Sequence, residues 1–376
     1  MILGENVGSV YSNGREIQRV YSYGKLVWKK KEYSELPFTV KATRDGVTVS
    51  LRNLNSAVIK YSINGGKWNQ VVGNISINGV TIAELNKDDV VSIKTTDTVN
   101  CFIRGNTADV YGNIMSLIYG DNFIGQTAWL KGYSSYTDTS VAGFFGGSAN
   151  GSSVGSSIVN AENLILPATS LLTGCYASMF ANCVNLKTAP QLPATVLAAG
   201  CYAYMFANCK ALITHPVLPA TTLAYRCYYN MFYQSGVLTA PELPATTLAT
   251  NCYEEMYRGS KLNIAPQLPA TTLAKQCYDG MFHACLNLFT APELPASTLV
   301  EGCYVDMFRN CYRLRYVKCY ATKSSVSIGK CVDKWLDNAG DPYVGDHEGE
   351  YGTLVCYRNV GLENYIPDTW TVEYLN

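Results

Sequence analysis

Charge and histidine are scarce in this chain of 376 residues: 15% of the residues are charged, only three are histidine, and the 29 basic and 29 acidic residues cancel. A neutral chain carries no broad basic field, which argues against nucleic acid or an acidic membrane surface as partner. No run of 18 apolar residues occurs, so no transmembrane helix and no membrane insertion are expected. The opening "MILGENVGSV" lacks a basic stretch, and Glu5 and glycines stand where a long apolar segment would be. It is not expected to act as a secretory signal, so synthesis in a cytoplasm without export by the usual route is the expectation. Phosphate-binding and zinc-protease signatures are missing as well, and His215, His283 and His347 have no paired Asp and Ser pattern. The expectation is a protein that is not an enzyme and needs no cofactor or metal.

What is present is repetition. "CY" recurs at 175, 201, 227, 252, 277 and 303, in steps of 26, 26, 25, 25 and 26, and "LP" recurs with the same steps. Met179, Met205, Met231, Met256, Met281 and Met307 follow each pair at a fixed offset. The unit is L-P-A-T-T-L-A-x-x-C-Y-x-x-M-F-x-x-C-x-x-L-x-x-A-P-E. A unit this small cannot bury a core by itself and must stack on copies of itself. Leu171 or Leu172, Cys175, Met179 and Cys183 fall at helix-like spacings. Two prolines three residues apart forbid a helix in "LxxAPELPA" and fit a short extended segment. Each coil is therefore expected to hold one short helix and one short strand. Upstream, Phe144 and Phe145 take the Met-Phe position of a worn first coil, Ser148 takes that of the second Cys, and a Gly/Ser-rich loop follows.

This pattern resembles the BspA type of bacterial leucine-rich repeat over about residues 160–320. The resemblance implies a curved solenoid with its extended segments on one face, and no reaction. The expected fold class is mixed: N-terminal β-hairpins and an antiparallel β-sandwich, then an α/β leucine-rich-repeat solenoid with a C-terminal cap. The expected division is 1–32 for the hairpins, 33–112 for the sandwich, 113–320 for the solenoid and 321–376 for the cap.

Ten of the 14 cysteines lie in the coil columns: Cys175, Cys183, Cys201, Cys209, Cys227, Cys252, Cys277, Cys285, Cys303 and Cys311. Ser235 and Ser260 replace the second cysteine of two coils while Cys227 and Cys252 remain. A pairing rule would strand those two, whereas a rule asking only for a small buried residue accepts serine. Free thiols are expected, and no close Cys/His cluster suggests a metal.

The flanks carry their own signals. "SVYSNGREIQ" and "RVYSYGKLVW" align at a period of ten, each as strand, glycine turn, strand, with Asn13-Gly14 a hairpin signal. Such tandems resemble the heads of phage tail and fibre proteins, which implies attachment to a virion and oligomerisation through Tyr11, Tyr21 and Trp28. Residues 33–110 alternate apolar and polar and predict about seven antiparallel strands, with turns at Asp45-Gly46 and Asn64-Gly65-Gly66. Trp68 reads either as a sugar-stacking platform or as a core or rim residue. At the other end, "CVDKWLDNAG" reads as one short helix and "IPDTWTVEYLN" as a final strand. Asp337, Asp341, Asp346, Glu348 and Glu350 read as a solvated loop or a calcium site, without the EF-hand order.

The function expected is a phage virion protein, a fibre or decoration protein of tail or head, that attaches to a bacterial surface. The partners are other virion proteins, copies of itself, and a surface glycan or protein receptor; the location is the virion. Lys187, His215, Asn263, Phe289 and Arg315, at variable positions of the extended segments, are the candidate contacts. A bacterial cell-surface adhesin of the same repeat family is the alternative. A polysaccharide depolymerase is the third reading, resting on Glu254, Glu255, Asp279, Glu301 and Asp306, two of which would have to meet across neighbouring coils.

Overall fold

The computed structural model describes residues 10–12, 15–17, 19–22, 25–29, 32–52, 58–72, 79–96, 100–128, 144–146, 155–341 and 351–376. The period-ten repeat forms two hairpins. β1 (Val10–Ser12) pairs antiparallel with β2 (Arg15–Ile17), and β3 (Arg19–Ser22) with β4 (Lys25–Lys29). The Asn13-Gly14 turn and the side chains of Tyr11, Tyr21 and Trp28 lie outside the described residues.

Eight strands follow: β5 (Phe38–Ala42), β6 (Val47–Arg52), β7 (Val58–Ile63), β8 (Asn69–Val72), β9 (Val80–Leu85), β10 (Val90–Thr95), β11 (Asn100–Gly105) and β12 (Ala108–Asn113). They form two antiparallel sheets, ordered β12-β5-β10-β7-β8 and β11-β6-β9. Period-two alternation explains this, since Val47, Val49 and Leu51 of β6 and Val91 and Ile93 of β10 are fully buried in a shared core. Asn64 and Gly65 turn the β7–β8 hairpin with φ of 51° and 71°, and the Gly66 N–H donates to the Ile63 carbonyl at 2.9 Å. Two successive left-handed residues match the twist of the flanking strands, and Asn-Gly adopts them cheaply.

The sheet continues into the repeats. After β12 comes one turn of helix, α1 (Ser116–Tyr119), and β12 takes β13 (Ile158–Asn160) and β14 (Leu164–Ile165) in parallel. Phe145 stands in the phenylalanine column as expected. Its N–H donates to the Met179 carbonyl at 2.9 Å, and its ring lies 5.4 Å from Phe38 and 5.3 Å from Phe180. Ser148 lies outside the described residues.

The six repeats stack in register. One file of rings runs Phe180, Phe206, Phe232, Tyr257, Phe282, Phe308, with centroids 5.5–5.9 Å apart. A second runs Tyr176, Tyr202, Tyr228, Tyr253, Tyr278, Tyr304, 5.6–6.1 Å apart. Every one of these rings is at most 2% exposed, so each coil is dry only because its neighbours cover it.

The expected helix is absent. Across 176–182, the N–H groups of Tyr176, Ser178, Phe180 and Asn182 donate to Cys201, Ala203, Met205 and Ala207 of the next coil at 2.8–3.0 Å. The residues between them, Ala177, Met179 and Ala181, close turns three residues back onto Gly174, Tyr176 and Ser178 at 3.0–3.2 Å. Alternate amides thus bond locally and between coils. Every fourth residue is left-handed: Gly174, Ser178 and Asn182 in the first coil, Arg226, Asn230 and Gln234 in the third. A left-handed residue every four positions excludes an α-helix. The buried pattern, Cys-Tyr-x-x-Met-Phe-x-x-Cys, repeats at four, close enough to 3.6 within a single coil to pass for a helix.

The two coils of 25 residues are the two with serine in the second cysteine column. In the longer coils the leucine N–H closes a turn on that cysteine, as in Leu212 to Cys209 at 3.2 Å. One residue fewer removes that turn, and in the fourth coil the Leu262 N–H finds the Ser260 hydroxyl instead, at 3.4 Å. The third coil tightens further at Gly236, where a Cβ would stand 2.2 Å from the Lys210 carbonyl oxygen; only glycine fits there.

All 14 cysteines are buried and none is bonded to another. The second-column thiols serve as donors: Cys209, Cys285 and Cys311 reach the carbonyls of Phe180, Tyr257 and Phe282 at 3.0–3.2 Å. Burial pushes the Cys183, Cys227, Cys277 and Cys285 thiols up to about 12, which keeps them unreactive.

Repetition runs past residue 320, where the sequence reading ended it. A helical turn, α2 (Gly329–Val332), enters one more layer. The N–H groups of Tyr304, Phe308 and Asn310 donate to the carbonyls of Cys331, Trp335 and Asp337 at 2.8–2.9 Å. Cys331, Val332, Trp335, Leu336 and Ala339 stand for Cys, Tyr, Met, Phe and Cys, so the spacing survives although the residues change. On the extended side, β15 (Thr298–Leu299), β16 (Tyr316–Lys318) and β17 (Lys323–Ser324) lead to β18 (Gly352–Cys356) and β19 (Trp370–Tyr374). β15 pairs with β17, and β16-β18-β19 form a parallel sheet over the end of the stack.

The phenylalanine file contains one tyrosine. The Tyr257 hydroxyl is buried with no hydrogen-bond partner among the described residues, which costs about 1–3 kcal/mol. Tyr257→Phe, which installs the residue of the other five coils, is expected to raise stability by about 1 kcal/mol in urea denaturation, with unchanged m-value.

Candidate functional site

Two faces of the stack carry side chains that the core does not use. The first is formed by the extended segments. The position after each core leucine or valine holds Lys187, Ile213, Leu238, Asn263, Phe289 and Arg315. Backbone bonds from Leu238 to Ile213, Asn263 to Leu238 and Arg315 to Phe289 fix this column. Lys187, Asn263, Phe289 and Arg315 are thus brought into one file, while His215 is not. It stands two residues further on, half-buried in the column of Ala189, Ala240 and Ala265, with Nδ1 3.2 Å from the Pro216 carbonyl oxygen. Arg315 is drawn back onto the backbone, donating from Nη1 to the Tyr312 carbonyl at 2.6 Å. Of the apolar members of this face, sequence reading named Phe289 and missed the others. Ile213, Leu238, Ile264, Phe289 and Tyr316 are 38–63% exposed and form a stripe across five coils.

Trp68 stands apart on the sandwich. It is exposed, and the Lys94 ammonium lies 4.7 Å from its ring centre. Lys94 and Lys60 both donate to Asp121, at 2.8 and 2.7 Å, and these bonds hold the Asp121 carboxyl down to about 2.

The second face follows the buried rings. The two positions after each tyrosine and the two after each phenylalanine are buried in the first coil and mostly half-buried in coils four to six. In the first two coils they hold Ala177, Ser178, Ala181 and Asn182, then Ala203, Tyr204, Ala207 and Asn208. Later coils replace these with Tyr229 and Tyr233, Glu254, Glu255 and Arg258, Asp279 and His283, Asp306 and Arg309. Four of the five carboxylates singled out in the sequence meet here. Glu301 does not; it lies one position before the coil's left-handed Gly302, exposed and paired with Lys275 at 3.0 Å.

Three of the four have a cation. Arg226 Nε lies 3.2 Å from Glu254, which also accepts from Asn251 at 2.7 Å; Arg258 pairs with Glu255; Arg309 Nη1 lies 3.3 Å from Asp306. Among the described residues, Asp279 accepts from the Gln276 amide alone, at 3.2 Å. Partial burial lifts its pKa to about 7; the Gln276 bond opposes this, and the Glu254, Asp306 and Glu255 charges add to it. Burial likewise raises Glu254 against the pull of Arg226. His283 is lowered by burial and by the Arg258 guanidinium, so it is neutral.

Asp279 links pH to stability. Its carboxyl titrates near 3.8 when free and near 7 in the fold. Between those values the folded chain holds a proton that the unfolded chain releases, so stability falls as pH rises from about 4 to 7. The full linkage of three units would be about 4 kcal/mol; solvent at the half-open site reduces it to roughly 1–2. Asp279→Asn is expected to stabilise by that amount at pH 8 and by little at pH 4. Urea midpoints measured at both values check this, and equal shifts at both would refute it.

Asp337 faces Arg309 Nε at 3.7 Å; Asp346, Glu348 and Glu350 lie outside the described residues. Among the described residues no three His, Cys, Asp or Glu side chains converge as a metal site would require. The segment Gly151-Ser152-Ser153-Val154-Gly155 spells the G-x-S-x-G of a hydrolase elbow, but its first four residues lie outside the described residues. Among the described residues no helix is long and apolar enough to cross a membrane. No protein-family model, no curated protein and no solved structure matches this chain.

Proposed function

We propose that this chain is a phage virion protein, a fibre or decoration protein related to the BspA-type leucine-rich repeats, that attaches to a bacterial surface glycan without turning it over. The observation that carries this is the division of labour in the coils. Internal columns are nearly invariant and locked in register, while most variation falls in columns that are half-buried or exposed in coils three to six. A scaffold of this kind presents side chains at constant intervals, so many weak contacts to a repetitive polymer add by avidity. Two-stranded hairpins are marginal alone, which fits β1–β4 as a docking and oligomerisation segment resting on other virion proteins. The absence of turnover is supported by the ties on the carboxylates: each of the four is held by an arginine or an amide.

The fluorescently labelled full chain, added to a panel of bacterial strains of diverse surface polysaccharide, is expected to bind some of them saturably. Periodate, which cleaves vicinal diols, should abolish the binding. Host polysaccharide incubated with the chain should keep its length. Antibody imaging on intact particles separates a virion protein from a bacterial adhesin, and failure to bind any strain or particle would overturn the reading.

A further inference from the structure

We propose that the polar face of coils three to six, running from Tyr229 and Tyr233 past Arg258 and His283 to Arg309, is the binding surface for a neutral, hydroxyl-rich polysaccharide lying along the stack. This rests on the attachment reading and adds where the polymer sits and what its charge is.

The chain contains its own control. Ala177 and Ala203 occupy the position after the tyrosine in the first two coils, and Ala181 and Ala207 the position after the phenylalanine. These coils keep the same ring stacking and the same inter-coil bonds as the later ones. The stack therefore forms with a small residue at these positions; Ala181, Ala203 and Ala207 are fully buried there, whereas the same columns open to solvent from the third coil on. Coils three to five place Tyr229, Glu254 and Asp279 in the first column and Tyr233, Arg258 and His283 in the second, all half-buried. Partly desolvating a charge costs free energy that alanine avoids. Asp279, which has no cation among the described residues, bears that cost most plainly.

The chemistry of the groups selects the ligand. Arg226, Arg258 and Arg309 neutralise Glu254, Glu255 and Asp306 pair by pair, so no strong field of one sign is left for a charged polymer. Carboxylate, guanidinium and amide edges offer paired acceptors and donors that match neighbouring hydroxyls. Neutral His283, 3.3 Å from the Asn310 amide nitrogen, adds a donor and an acceptor without charge. Aromatic rings supply the apolar counterpart on which the C–H face of a sugar ring rests. Tyr204 and Tyr229 meet edge to face at 5.1 Å, and the Arg226 guanidinium lies 4.6 Å from the Tyr229 ring. The aliphatic stripe of Ile213, Leu238 and Ile264 lacks such edges. Coil spacing sets the rest: inter-coil bonding repeats each column at about the 4.7–4.9 Å of neighbouring strands, so an extended polymer would meet one coil per sugar.

The test uses the triple variant Glu254→Ala, Asp279→Ala, His283→Ala in the full chain. Each change installs the residue that the first two coils carry in the same column, so circular dichroism and melting should show an intact fold. The probes are dextran, mannan, xylan and laminarin, with hyaluronan as the anionic comparison, in affinity electrophoresis at physiological salt. The wild type is expected to be retarded by at least one neutral polymer and not by hyaluronan. The triple variant should lose at least about tenfold in affinity, and Ile264→Ser with Phe289→Ser on the other face should lose little. Absence of binding to every neutral polymer, or equal binding by the triple variant, overturns the proposal. If the wild type and the triple variant bind bacterial cells equally, the face is wrong and the attachment reading survives. If neither binds cells, the attachment reading itself fails.

Discussion

Phe232→Ala should split the unfolding of this protein into two transitions. Phe232 is fully buried, with Phe206 on one side at 5.7 Å and Tyr257 on the other at 5.5 Å. Truncating a buried phenylalanine costs about 3–5 kcal/mol. In a globular core that loss would be shared by the whole domain and would move one midpoint. Here each coil touches only its two neighbours, so the loss falls on two interfaces in the middle of the stack. The sandwich with coils one and two forms one cooperative unit, joined through Phe38, Phe145 and Phe180. Coils four to six with the terminal layer form the other. Urea unfolding followed by far-UV circular dichroism, with limited proteolysis at intermediate urea, is expected to show a plateau and cleavage near residue 232. Leu172→Ala, at an exposed side chain, should leave a single transition. A single transition at the wild-type midpoint for Phe232→Ala would show that the ring file does not hold the coils together.

The ring files were legible in the sequence because a period of 25 or 26 is a direct statement about stacking. Cys-Tyr and Met-Phe had to line up if the unit was to be dry. The conformation between them was not legible, and the reason is local. Tyr204, Arg226, Glu255 and Gln276 have no intrinsic preference for φ near 50–57°, yet all adopt it. What holds them there is the bond each makes to the next coil, such as Tyr204 N–H to the Tyr229 carbonyl at 2.8 Å. A preference imposed by a residue 25 positions away leaves no mark in a short window. Spacings of four then pass for a helix, although a helix would drift off that period. The terminal layer was missed for the opposite reason. Trp335, Leu336 and Ala339 keep the offsets but not the identities of the motif. Of the candidate site, four carboxylates were found because titratable residues are conspicuous in a chain with so few. The apolar stripe was hidden because Ile213, Ile264 and Tyr316 look like core residues until burial is known.

Ending the chain after Tyr320 should make this protein self-associate through the exposed end of the stack. Residues beyond that point cover the last full coil. Trp335 stacks on Tyr304 at 6.4 Å and donates from Nε1 to the Tyr365 carbonyl at 2.8 Å; Trp370 donates to Ala339 at 2.8 Å. Their removal bares one side of Tyr304 and Phe308, both now at most 1% exposed. Half the burial of two aromatic rings is roughly 150–250 Å², or about 4–6 kcal/mol at 25 cal/mol per Å². It also frees the β16 edge that β18 now pairs, and an open edge beside a flat apolar end is a template for a second copy. Sedimentation velocity is expected to show dimers and larger species for the truncated chain at concentrations where the full chain gives one smaller species. Trp335→Ala is the graded version. It keeps the cover and loosens it by about 3–5 kcal/mol, at the end of the stack rather than in its middle. Proteolysis should then trim the C-terminal layer while the main unfolding transition stays in place, unlike the split expected of Phe232→Ala. A truncated chain that sediments as a monomer and unfolds like the full one would mean that the last coil needs no cover.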